Sequence, residues 1–134
     1  LDGEVLQNVP LNEVAYCSNQ RNDDTISIEC CHPDETGKFY DSTYQTLVNL
    51  CAYLCVEFDL KPDDVIRHYD VTGKICPKYF VDYPEKWEDF HKDVNKDSEE
   101  VTGHSLKIRN SSCILYLKFT NIIFIIEKSV CSMI

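Results

Sequence analysis

Positive charge is scarce in this chain: 13 Lys and Arg stand against 23 Asp and Glu, a formal net charge of −10 over 134 residues. A phosphate backbone selects basic surfaces, so this shortage excludes a general nucleic-acid binder. It also removes any broad attraction to anionic membranes or wall polymers, which leaves recognition to a shaped site. The sequence opens at Leu1, with Met133 as the single methionine, and its first stretch does not read as a basic-plus-apolar leader. The opening "LDGEVLQNVP" reads as an alternating strand pair around a turn, already inside a fold, so the expectation is a fragment. Long apolar runs are lacking as well. The most apolar stretch, "SSCILYLKFTNIIFIIEKSVCSMI", is broken by Lys118, Asn121, Glu127 and Lys128, whereas a bilayer span needs about 20 residues without such breaks. Histidine is absent from residues 1–28.

What is present suits one globular domain. At 43% hydrophobic, the chain can bury a core without staples. Eight cysteines raise a disulfide framework, but Cys30 and Cys31 are adjacent and Cys51 and Cys55 sit four apart in a helical pattern, which favours reduced thiols acting as small hydrophobes. Val5, Leu6, Val9 and Leu11 mark short strand-like positions after the Asp2-Gly3 turn, and "TISIECC" (25–31) is a β-branched run that predicts a buried strand. Leu47, Leu50, Cys51, Leu54, Cys55 and Phe58 recur at three- and four-residue steps. They predict an amphipathic helix over 43–58, capped by Asp41 or Ser42. "VIRH" (65–68) predicts a second short strand, and Pro84 starts a helix to about Val94 with Trp87, Phe90 and Val94 on one face. This order implies an α/β layered domain, and such sheets hold their sites beyond the strands' carboxyl ends. The acidic texture stops near Asp97. The chain therefore divides into a domain over 1–95 and an atypical segment over 96–134, read as an edge strand, a poorly ordered tail or an out-of-frame extension.

The stretch "VIRHYDVTGKICPKYF" (65–80) carries the chemistry. The imidazole of His68 and the thiolate of Cys76 are good zinc ligands, and a short loop can bring both to one ion. Two are fewer than the three a catalytic zinc usually takes. Lys74 could hold a developing oxyanion. Glu29 is an acid at the end of a run otherwise shaped for burial, and a carboxylate there points to a cleft or a cation. Each feature has an ordinary alternative: a chance His–Cys spacing, a solvated lysine, a strand acid facing water. His32 either lines the cleft or is a solvated loop histidine; His91 at a helix edge and His104 in the tail are poorer candidates.

Taken together, "DTISIECCHPDETGKF" and "VIRHYDVTGKICPKYF" resemble the type 2 zinc-dependent N-acetylmuramoyl-L-alanine amidases, a family that includes phage endolysins, bacterial amidases and peptidoglycan recognition proteins. The "ISIE" strand matches the family's acidic strand at Glu29. His68, Asp70, Gly73, Lys74, Cys76 and Pro77 match its H-x-D-x-x-G-K-x-C-P loop. The resemblance implies a central mixed β-sheet flanked by helices, incomplete at the N-terminus. It implies Zn2+ held by His68 and Cys76, Glu29 as general base and Lys74 polarising the carbonyl. The implied reaction, at the bacterial cell wall, cleaves the amide between N-acetylmuramic acid and L-alanine of the peptidoglycan stem peptide. Tyr16 and Asn19 fall in a segment that borders the groove in such amidases, so they are candidate substrate contacts. The family's third zinc ligand is an earlier histidine, and no position here inherits that role, which implies impaired activity. The alternatives are a non-catalytic peptidoglycan-binding module and a non-functional gene fragment.

Overall fold

A computed structural model describes residues 4–103 and 121–124, the last four by their backbone. Three short strands pair in the order β1-β3-β2, where β1 is Thr25–Ile28, β2 is Val65–Arg67 and β3 is Asn121–Phe124. Both pairings, β1 with β3 and β2 with β3, are parallel, with Ile28 and Arg67 opposite Phe124 from either side. A mixed sheet was expected, and these three strands contain no antiparallel pair. A parallel strand with neighbours on both sides reads as a continuous apolar run, which "IIF" in β3 supplies. The segment expected at most as an edge strand thus holds the middle position.

Helix α1 (Asp41–Glu57) forms where the apolar spacing demands it and buries Leu47, Val48, Cys51, Ala52, Leu54 and Cys55. Its N-cap is Tyr40, in extended conformation and without a side-chain cap. Neither Asp41 nor Ser42 caps it; Asp41 instead lies in the first turn, where a carboxylate opposes the helix dipole. The helix ends as Asp59 turns left-handed (φ 53°) and Leu60 donates its N–H to the Cys55 carbonyl at 2.8 Å. Helix α2 (His68–Thr72) and helix α3 (Lys78–Asp82) form in and just after the stretch read from the sequence as a short loop.

Helix α4 (Pro84–Gly103) starts at the expected proline but runs well past Val94, so the division at 95/96 falls inside it. Its Trp87, Phe90 and Val94 pack with Phe80 of α3 and the buried face of α1. The Phe80 ring lies 5.2 Å from Trp87 and 5.4 Å from Phe90, and the Tyr44 hydroxyl donates to Asp93 at 2.6 Å to tie α1 to α4. The strand pair expected at the N-terminus is not formed over residues 4–11. Val5, Leu6, Val9 and Leu11 are exposed, because an alternating pattern makes a strand only where a neighbour takes its backbone hydrogen bonds. No helix among the described residues is long and apolar enough to cross a membrane.

Candidate functional site

The site lies where two parallel strands end together. Glu29 is the first residue beyond β1 and His68 the first beyond β2, on either side of β3. Strand spacing puts their backbones about 10 Å apart, wide enough for a small reacting group between them. A cleft of about 790 Å³ opens there. Glu29, His68 and Lys74 line it together with Tyr16, Cys17 and Asn19 on one rim and Thr72 and Gly73 on the other.

The His68 side is built by local capping. The Asp70 carboxylate accepts the Arg67 backbone N–H at 2.9 Å, which starts α2 at the residue that carries the imidazole. Arg67 also grips Asp70 through Nε (3.0 Å) and Nη2 (2.7 Å), donates Nη1 to the Phe80 carbonyl at 3.0 Å and lies over the Trp87 ring. Burial alone would raise the Asp70 pKa, but these hydrogen bonds and the guanidinium charge outweigh it and hold the carboxyl below its usual range. Asp70 is thereby turned to Arg67 rather than to the cleft.

Gly73 ends α2 in the left-handed region (φ 77°), and its N–H returns to the Tyr69 carbonyl at 2.8 Å. The chain then reverses so that Tyr69 N–H meets the Cys76 carbonyl at 2.9 Å. This bond brings the Cys76 backbone beside the residue that follows His68. His68 is 7% exposed and Cys76 2%. Cys76 is buried and does not line the cleft. Lys74 and Glu29 are exposed within it, and neither charged group takes a hydrogen bond or ion pair among the described residues.

Of the sequence-expected residues, Glu29, His68, Lys74, Tyr16 and Asn19 share the cleft, and Tyr16 is 88% exposed at its mouth. His32 does not reach it; its Nδ1 lies 2.7 Å from the Asp34 carbonyl in a surface turn. His91 packs on Trp87 at 4.4 Å, with Nε2 2.9 Å from the Val65 carbonyl, and His104 lies outside the described residues. Sequence reasoning missed Cys17 and Thr72, and named Gly73 only as a match to the loop motif. No pattern marked Cys17. As metal donors, an imidazole and a thiolate fit zinc in kind, but among the described residues no group of three or more His, Cys, Asp or Glu side chains converges.

Comparison with known proteins gives one consistent answer. The family of N-acetylmuramoyl-L-alanine amidases matches residues 1–79. The chain is 33% identical over 99 residues to N-acetylmuramoyl-L-alanine amidase CwlL of Bacillus licheniformis, covering 65% of this chain and 27% of that protein. It is 32% identical over 119 residues to N-acetylmuramoyl-L-alanine amidase BlyA of Bacillus subtilis (strain 168), covering 73% and 31%. A probable N-acetylmuramoyl-L-alanine amidase of Bacillus licheniformis is 29% identical over 126 residues, covering 82% and 35%. The chain thus spans about a third of the length of these relatives. No solved structure matches.

Proposed function

The chain belongs to the N-acetylmuramoyl-L-alanine amidase family, and from that premise we propose that its cleft hydrolyses the amide between N-acetylmuramic acid and L-alanine of the peptidoglycan stem peptide. The observation that carries this reading is the meeting of Glu29, from the end of β1, with His68 and Lys74, from the loop motif some forty residues later, in one cleft at the strands' carboxyl ends. In this reading the sheet belongs to the family's α/β architecture, and action takes place at the cell wall. The imidazole of His68 and the thiolate of Cys76 are the residues that would hold Zn2+. Bound there, the ion would supply Lewis acidity, lowering the pKa of water toward about 7 and polarising the amide oxygen. Glu29, whose carboxylate is unengaged among the described residues, takes the proton of the attacking water and delivers it to the leaving amine. Lys74 sets a fixed positive charge where the oxyanion develops. Tyr16 and Asn19 border the substrate.

The donor count among the described residues favours a second reading, a peptidoglycan-binding module that keeps the cleft without turnover. One experiment separates the two. Purified chain is loaded with zinc, its metal content measured, and it is incubated with purified muropeptide while release of stem peptide is followed. The amidase reading expects stem-peptide release that chelator abolishes, zinc content that falls in Cys76→Ser, and hydrolysis lost in Glu29→Gln with zinc content retained. Muropeptide binding indifferent to chelator, without hydrolysis, supports the module instead.

A further inference from the structure

The cleft's two rims come from distant parts of the chain, and one side chain spans them. The first rim, Tyr16 to Asn19, is anchored to the sheet by a partly buried network. Ser18 is 0% exposed; its N–H donates to Asn22 Oδ1 at 2.7 Å, and its hydroxyl lies 3.0 Å from Thr25 Oγ1. Thr25, the first residue of β1, donates to the Arg21 carbonyl at 2.6 Å, and Arg21 pairs with Asp24 at 2.8 Å. A turn held this way cannot slide along β1. It presents Asn19 in the left-handed region (φ 52°), which asparagine tolerates better than most residues.

The second rim is braced mainly on itself. Thr72 Oγ1 donates to the His68 carbonyl at 3.1 Å and Gly73 N–H to Tyr69, both within the same turn. Between the rims, Gln20 Nε2 donates to the Val71 carbonyl at 3.3 Å, across 51 residues of sequence. Gln20 directly follows Asn19 and Val71 directly precedes Thr72, so this bond joins the two cleft walls at their lips.

We propose that Gln20 is a positioning residue that sets the width of the cleft mouth: carried on the rim fixed to β1, its amide holds the second rim at Val71 and keeps Lys74 facing Asn19 and Glu29. The bond is exposed and neutral, so it biases an equilibrium between a narrow and a wider mouth by about 2- to 10-fold rather than locking it. Cys17 in the cleft wall gives a reporter of that width that is independent of turnover.

The kinetic half of the test rests on the amidase reading, and the labelling half does not. The full chain is prepared as wild type, as Gln20→Met, which is similar in length but has no donor, and as Gln20→Asn, which keeps the amide but is one methylene too short. KM and kcat are measured on soluble muropeptide. Iodoacetamide alkylation rates at Cys17 and at exposed Cys31 are resolved by peptide mass spectrometry. Both variants are expected to raise KM about 2- to 10-fold with kcat within twofold, and to speed alkylation at Cys17 by a similar factor with Cys31 unchanged. Wild-type labelling of Cys17 in Gln20→Met overturns the proposal, as does a parallel rise at Cys17 and Cys31, which reports general loosening. A wild type that hydrolyses nothing while Gln20→Met still speeds Cys17 labelling sinks the amidase reading and sustains the latch.

Discussion

Two opposite charges in one cleft, each without a partner among the described residues, are informative because surface charges close to a counter-ion normally use it. Asp70 shows the contrast. It lies four residues before Lys74 and yet is committed to Arg67, so the loop's only nearby carboxylate does not neutralise the ammonium. Asp70 therefore does not compete with whatever enters the cleft for the Lys74 side chain. If Lys74 stabilises an oxyanion, its interaction is made mainly in the transition state and its loss appears in kcat rather than KM. Lys74→Met is expected to lower kcat on muropeptide by about 10²- to 10³-fold, the scale of losing one oxyanion donor. Lys74→Arg, which keeps charge but alters reach, should recover part of it. An equal fall in zinc content would instead assign Lys74 to holding the loop.

Short elements decide the site's geometry, and they are the ones the sequence hides. The three- and four-residue stripe of α1 was legible to within two residues at its start because seventeen residues give the period room to repeat. Helices α2 and α3 have five residues each and no stripe; they exist through local devices such as the Arg67–Asp70 cap and the left-handed Gly73. Helix α4 ran on past its apolar face because "KDSEEVTG" is polar, yet polar sequence can continue a helix that packing has already nucleated. The loop motif singled out His68 and Lys74, and both line the cleft, since strand ends fix where a following residue goes. Glycines test the element argument. A Cβ at Gly73 would meet nothing within 4 Å, so Gly73→Ala carries only the left-handed penalty, about 1–2 kcal/mol. At Gly37 (φ 72°) the same Cβ would lie 3.2 Å from both Lys78 Cβ and the Tyr79 backbone nitrogen, adding crowding to a similar penalty. Urea midpoints should therefore fall in both variants and further in Gly37→Ala, while only Gly73→Ala, at the cleft, also alters KM.

Across the whole molecule, the cleft and the core share a wall. Glu29 leaves β1 into the cleft, and the next residue, Cys30, packs back against the core that holds Cys51 and Cys55. Burial, with smaller contributions from Cys31 and Glu29, pushes the Cys30 thiol up to about 12, and burial chiefly pushes Cys55 up to about 11 and Cys51 well above its ordinary value. In the unfolded chain these thiols ionise near their ordinary pKa of about 8.5. Below that pH neither state loses a proton and their contribution to stability is fully present. Above it the unfolded chain gives up protons that the folded chain retains, so stability falls as pH rises through the interval toward 11–12. The melting temperature is expected to hold steady up to about pH 8.5 and then decline by pH 10, before most lysines have lost their charge. Cys51→Ala isolates the cause: it should lower Tm at neutral pH through its cavity but make the alkaline decline shallower. If the mutant and wild-type curves run parallel from pH 7 to 10, the thiol wall is not what alkali attacks.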